Sequence, residues 1–478
     1  MLYFCIFLAV LIVFIAILVK NTLQFKPEPE QPIPAADEVF DGDKAVRDLQ
    51  ALIRCKTVSY RDKSLEDNAE FTRLEALLPQ LFPHVYDTCE FRKLGERSLL
   101  FHWKGNSADA PGVLMAHYDV VPVNEELWSK PAFDGLIEDD CLWGRGTLDT
   151  KGTLVGVLEA ADNLIAQGFV PQHDLYLAFA GDEEISGTGA PTIVEWFTQQ
   201  GITPAFVLDE GGAVVEKVFP GVKEPCALIG IGEKGPMDVK LTLDTNGGHA
   251  STPPPHSPVG VLAKAVANIE KHPFPFTLTA PAAQMFDILG RRSTFLYRMI
   301  FANLWCFKPV LNLFCRLSGG ELNALVRTTV AFTQMQGSAA SNVLPPHAWV
   351  GANLRLMPGE TVESARKRLK RLSGDKRIKV DVVMGMNPSP ISRTDDEPYQ
   401  RLANAIRATW TNAVVSPYLM LACSDSRHYG PISDHVYRFS AMALSKEERG
   451  MIHGNNERIP LETIKKTVSF YQYLIRNC

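Results

Sequence analysis

The chain has 478 residues, 46% of them hydrophobic and 21% charged, which describes a folded globular protein and excludes disorder. That length exceeds one small core and calls for two or three structural units. A formal net charge of −6, with no sustained Lys/Arg stripe, excludes the electrostatic footprint of a nucleic-acid binder.

Residues 2–19 form an unbroken apolar run closed by Lys20. At 1.5 Å per residue such a helix just spans a hydrocarbon core of about 30 Å. The run lacks a basic flank before it and a small-x-small cleavage site behind it. An uncleaved membrane anchor at residues 1–20 is therefore expected, with a cleaved signal peptide as the alternative. Lys20 and Lys26 follow the run and favour a cytoplasmic body by the positive-inside rule. Residues 21–40, with KPEPEQPIP at their centre, read as a Pro/Glu linker that holds the globular part off the membrane. The nine cysteines are scattered without a Cys-X-X-Cys pair, against thiolate zinc sites and against a disulfide framework.

From residue 41 the pattern is α/β. Short apolar runs end in acids or histidine, as in VLMAHYD, LYLAFAGDEE and AFVLDEGG, with helical stretches such as residues 154–166 between them. Strands alternating with helices predict a mainly parallel, helix-covered sheet, and ligands bind such sheets beyond the carboxyl ends of the strands. His117, Glu183, Glu184 and Asp209 fall at that edge. Near Gly232 the texture changes. Residues 239–243, 348–356 and 378–384 read as strands, and 258–271 and 361–372 as helices, so 232–386 is predicted to be an inserted α+β unit. Within it, 286–317 is rich in Phe, Leu and Trp. Two readings are open there: helices packed on the inserted unit, or an apolar wall for a greasy substrate or a membrane. Residues 387–478 return to the first unit, 41–231, and end in a helix at 461–476.

His117 and Asp119 lie two apart at a strand end, so both side chains face one way and the carboxylate can orient the imidazole. Asp149, in GRGTLDTKG, stands at a helix start. Glu183 and Glu184 are adjacent acids that can divide metal binding from proton transfer. Asp209 ends a strand under glycines, and His453 stands alone in MIHGNNE. Two imidazoles and three carboxylates supply the mixed N/O ligation that zinc accepts.

The ordered series AHYDVVPV, GRGTLDTKG, GDEEISG, VLDEGG, GGHAS, NVLPP and IHG resembles metallopeptidase family 20 over residues 41–475, most closely its carboxypeptidase S and N-fatty-acyl-amino acid synthase/hydrolase branch. The resemblance implies a zinc-dependent exopeptidase-like catalytic domain carrying a lid or dimerisation domain at 232–386. It implies two Zn2+ per chain, with Co2+ or Mn2+ as substitutes. One ion would be held by His117 and Asp209, the other by Glu184 and His453, with Asp149 between them. Asp119 would orient His117, and Glu183 would take the proton from a water activated by the metals. In the lid, His249, Asn342 and Arg355 resemble residues that meet substrate, His249 often in a partner subunit's site. Arg427 would grip a substrate carboxylate. The implied substrates are N-acyl amino acids or short peptides with a free carboxylate, on the lumenal or extracytoplasmic side. A homodimer through the lid is a further implication. A dipeptidase or deacetylase of the same family is the alternative activity, and a non-catalytic receptor on the same fold is a remoter one.

Overall fold

The computed structural model describes residues 1–29 and 32–478. Its main sheet has 8 strands, in the spatial order Glu90–Leu94, Ser98–Trp103, His173–Ala180, Ser107–His117, Phe206–Val215, Val436–Leu444, Cys226–Glu233, Val414–Met420. The central strands run parallel from His173–Ala180 through Ser107–His117 and Phe206–Val215 to Val436–Leu444. Antiparallel pairs flank them on both sides, so the sheet is mixed with a parallel centre. Central runs such as Val113–Leu114 and Val207–Leu208 are buried on both faces, as helix-covered parallel strands require.

Helices Lys151–Ala166 and Leu461–Arg476 pack together over one face. Ile464, Val468, Tyr471 and Ile475 recur every three to four residues and form the inward stripe of the latter. Gly156 lets the two helices close up, since a Cβ there would collide with the Thr467 methyl. Gly189–Gln200 covers the other face, where Ile193 and Phe197 meet Val113 and Tyr176.

A second, antiparallel sheet is ordered Thr329–Gln336, His347–Leu356, Gly235–Asp244, Lys379–Gly385. Helices Pro258–Lys271 and Val362–Ser373 supply its separate core, with Leu262, Ile269 and Leu369 against Leu241 and Val350. A capping box at Thr361 and Ser364 opens the second helix, and left-handed Gly374 closes it.

Two expectations need correction. Helices Ala280–Arg292, Phe295–Ala302, Leu304–Ser318 and Gly320–Leu325 do not pack on the second sheet: Met285, Phe286, Phe301 and Cys315 join the main core. Their buried stripe meets Phe219 and the edge strand Val414–Met420, where unpaired apolar surface is available. The Pro/Glu segment also does not stand off from the body. Phe25 lies under the Arg291 guanidinium at 4.6 Å, Arg291 donates to the Lys26 carbonyl at 3.0 Å, and Ala36 N–H donates to Ala408 O at 2.9 Å. Glu30 and Gln31 lie outside the described residues. The N-terminal helix Leu2–Gln24 is long and apolar enough to cross a membrane.

Candidate metal centre

Three neighbouring parallel strands deliver the site to one sheet edge. His117 ends Ser107–His117, Glu183 and Glu184 follow His173–Ala180 in a 3-10 turn, and Glu210 lies within Phe206–Val215. Asp149 precedes Thr150, the N-cap of Lys151–Ala166. His453 arrives from the far end of the chain on a loop held in the left-handed region at φ 58°. Such a conformation costs about 1–3 kcal/mol in a non-glycine residue and marks a position fixed by its surroundings.

Asp149 stands between the two imidazoles. Its Oδ1 is 3.0 Å from His117 Nε2, and its Oδ2 is 3.0 Å from His453 Nε2. His453 Nε2 also lies 3.0 Å from Glu184 Oε2, and His117 Nε2 lies 3.5 Å from Glu210 Oε1. Glu183 closes the group, with its carboxylate, the His117 imidazole and Glu210 within 4.8 Å of one another. Asp119 sits beneath. His117 Nδ1 donates to its carbonyl at 3.0 Å, which fixes the tautomer and turns Nε2 to the cluster. The Asp119 carboxylate accepts the backbone N–H of Glu183 at 3.1 Å, that of Glu184 at 3.2 Å and the Ser59 hydroxyl at 2.7 Å. Asp119 Oδ1 also lies 3.3 Å from His117 Nδ1, so one buried residue orients the imidazole through its carbonyl and carboxylate and the acidic turn through its carboxylate.

The electrostatics show a shortage of positive charge. Burial pushes the Glu183 carboxyl well above the carboxylate range, with Asp425, Glu210 and Glu184 adding to it. Burial and Asp149 push Glu210 up to about 8, and burial raises Glu184. His453 is pushed up to about 10 by its hydrogen bonds with Asp149 and Glu184. Burial disfavours the His117 cation, but Glu210, Asp119 and Asp149 outweigh it and raise that pKa. Divalent cations fit this donor set. Two donors each about 2.1 Å from one tetrahedral ion stand about 3.4 Å apart, close to the 3.0–3.5 Å spacings here. Glu184 Oε1 is buried and, among the described residues, has no hydrogen-bond partner.

His117, Asp149, Glu183, Glu184 and His453 meet here, with Asp119 behind them. Asp209 does not. Its Oδ2 accepts the Ser426 N–H at 2.9 Å, and the next residue, Glu210, faces His117 instead. The register against Val436–Leu444 breaks between Asp209 and Gly212, and the two acids meet different partners there. Gly212 keeps this strand close to its neighbour, since a Cβ there would collide with the Leu228 carbonyl oxygen. Arg427 donates to Ser424 O at 2.8 Å and lies 3.3 Å from Glu233, while Arg355 donates to Cys423 Sγ at 3.1 Å on the same loop. His249 and Asn342 lie elsewhere, on the small ladder Gly248–His249 with Val343–Leu344. His249 is exposed and bonded to Ser251 at 2.7 Å, and no hydrogen bond or ion pair joins it to the cluster among the described residues.

Besides Glu210, the sequence reading missed Glu457. Fully buried, its carboxylate accepts the backbone N–H of Gly146, Leu148 and Asp149 at 3.1, 2.8 and 3.3 Å, and pairs with Arg145 at 2.6 Å. It ties the loop carrying Asp149 to the segment carrying His453. In sequence it is only an acid in a polar turn.

Fold and site together define an enzyme of the peptidase and amidohydrolase class, its chemistry the hydrolysis of amide bonds. The sequence profile described as Peptidase family M20/M25/M40 matches residues 113–477, and the chain belongs to that family. It is 34% identical over 482 residues to probable carboxypeptidase S-like 2 of Dictyostelium discoideum, covering 98% of this chain and 92% of that protein. It is 37% identical over 438 residues to N-fatty-acyl-amino acid synthase/hydrolase PM20D1 of Xenopus tropicalis, covering 90% and 85%. Among solved structures, the M20 family metallo-carboxypeptidase Sso-CP2 from Sulfolobus solfataricus superposes with a TM-score of 0.66 at 17% identity, covering 90% of this chain and 98% of that one.

Proposed function

We propose that this chain is a membrane-anchored, two-zinc hydrolase that cleaves the amide bond of N-acyl amino acids bearing a long acyl chain. The observation that carries this reading is a largely apolar cavity of about 310 Å³ whose lining begins one residue along the chain from Glu210 and from His453. Gly211 and Ile452, the neighbours of Glu210 and His453, line it with Val215, Leu228, Leu322 and Leu325. Each methylene buried there contributes about 0.8 kcal/mol, a gain open to an acyl chain and closed to a dipeptide.

His117, Asp149 and Glu210 would hold one ion, and His453, Asp149 and Glu184 the other. Bound in pairs, such ions polarise a carbonyl and acidify a water. Glu183 takes a proton from the attacking water as the new C–O bond forms, and returns it to the nitrogen as the C–N bond breaks. Asp119 holds His117 and the Glu183 backbone in place. Arg427, steadied by Glu233, meets the substrate carboxylate, with Arg355 beside it. Residues 232–386 act as the lid, apart from the helices between 280 and 325. His249 and Asn342, remote from their own cluster, suit a site completed by a second subunit. Leu2–Gln24 anchors the enzyme, with its body on the lumenal or extracytoplasmic side.

Metal analysis of the purified protein, paired with hydrolysis assays on N-acyl amino acids and dipeptides, tests the reading. About two zinc ions per chain and a preference for long acyl chains are expected. Faster cleavage of dipeptides or N-acetyl amino acids would replace it with the dipeptidase or deacetylase alternative.

A further inference from the structure

The helices Phe295–Ala302 and Leu304–Ser318 turn an apolar face outward. Leu296, Trp305 and Leu317 are 69%, 63% and 78% exposed. On the second helix Val310, Leu313, Phe314 and Leu317 are all exposed and form one stripe at i, i+3, i+4 and i+7. Leu311 and Cys315 on the opposite side are buried in the main core, so the helix is anchored to the body through one face and leaves a second apolar face uncovered. A contiguous apolar surface of this kind on a folded domain marks an interaction site.

The N-terminal helix indicates what covers it. Leu2–Gln24 docks directly on this element: Asn303 Nδ2 donates to Leu18 O at 3.2 Å, Asn21 Nδ2 donates to Asn303 Oδ1 at 2.8 Å, and the Phe14 and Trp305 rings meet edge-on at 6.0 Å. Phe14 lies about 9 Å along the helix from Lys20, on the apolar side. A bilayer crossed by Leu2–Gln24 therefore receives Trp305 to about that depth. Helices that lie in the membrane interface sink about 5–10 Å. Tryptophan and tyrosine favour that level, and Tyr297 is also exposed there. Arg291 is paired with Asp287 at 2.9 Å, while residues 295–318 themselves contain Arg298, Lys308 and Arg316 and no acid, a charge balance that suits anionic headgroups.

We infer that Phe295–Ala302 and Leu304–Ser318 form a second membrane-contacting element, lying in the bilayer interface beside the N-terminal helix, with lipid acyl chains covering the exposed stripe. The inference rests on the reading of Leu2–Gln24 as a membrane anchor. Leu322 and Leu325, on the next helix, wall the apolar cavity that Gly211 also lines, so the element sets that cavity near the lipid.

The test uses the full chain in vesicles of phosphatidylcholine and phosphatidylserine carrying a diazirine in the acyl tail. After irradiation and digestion, mass spectrometry maps the lipid adducts. Adducts on both Leu2–Gln24 and residues 295–318 are expected. Adducts on the first alone overturn the inference and leave the anchor standing, whereas none on either overturns both. In a parallel arm with a homobifunctional diazirine cross-linker, links between two chains at 295–318 without lipid adducts there show a second copy on this face and also overturn it. A Leu313→Glu, Leu317→Glu double variant is expected to lose at least tenfold of the 295–318 adducts while keeping the N-terminal ones and its far-ultraviolet circular dichroism.

Discussion

Asp209 and Glu210 are consecutive on one strand and meet different partners where its register breaks: Asp209 takes the Ser426 amide at 2.9 Å, while Glu210 stands 3.5 Å from His117 Nε2. The two carboxylates therefore have separable effects. Glu210→Ala is expected to lower bound metal from about two ions per chain towards one and to cut kcat/KM by at least a hundredfold. Asp209→Asn should keep the metal and lose stability, by about 1–3 kcal/mol for a buried acceptor left poorly matched. Metal analysis with denaturant melts of both variants checks this. Metal loss in Asp209→Asn with full loading of Glu210→Ala would reverse the assignment.

Glu183 sits among the proposed ligands, and the proposed mechanism gives it the proton rather than a metal. Glu183→Gln keeps the shape and removes the base, so turnover should fall by about 10²–10⁴ while metal content stays near normal. Retained turnover refutes the role.

Glu457 touches no reacting atom, yet three backbone N–H groups of the Asp149 loop converge on it. Glu457→Gln keeps the size and weakens those bonds. Groups that orient metal ligands typically contribute about 10–100-fold in metal affinity. A chelator competition titration should show a shift of that order, larger than any shift in substrate KM.

The apolar cavity makes a size prediction. Leu325→Trp fills it, and kcat/KM for a long-chain N-acyl amino acid should drop more than tenfold, with an N-acetyl analogue changed less than twofold. Equal losses for both substrates would place the acyl chain elsewhere.

Lys234 is buried, with its ammonium donating to the Ala324 and Arg327 carbonyls at 3.1 and 2.9 Å. Burial, with Arg355 nearby, pushes its pKa down to about 7 from the usual 10.5. Between those values the unfolded chain binds the proton and the folded chain releases it, so this residue makes stability rise with pH from about 7 to 10. Lys234→Met should flatten that rise and lift the melting temperature most at pH 7 and below. Melting curves across that range decide it.

The residues alone carry the alternation of strands and helices, a mainly parallel α/β sheet and the family resemblance. Apolar runs ending in acids or histidine place His117, Glu183 and Glu184 at one sheet edge whatever the details of packing, because parallel strands share that edge. The sequence did not determine which of Asp209 and Glu210 faces inward. Val207 and Leu208 are both apolar and both buried, so the strand carries no alternation from which its phase can be read. Tertiary structure alone decided that, and it alone revealed Glu457, whose partners lie about 310 residues away along the chain. It likewise sent residues 280–325 to the main sheet, because an apolar helix face specifies that it must be covered but not by what.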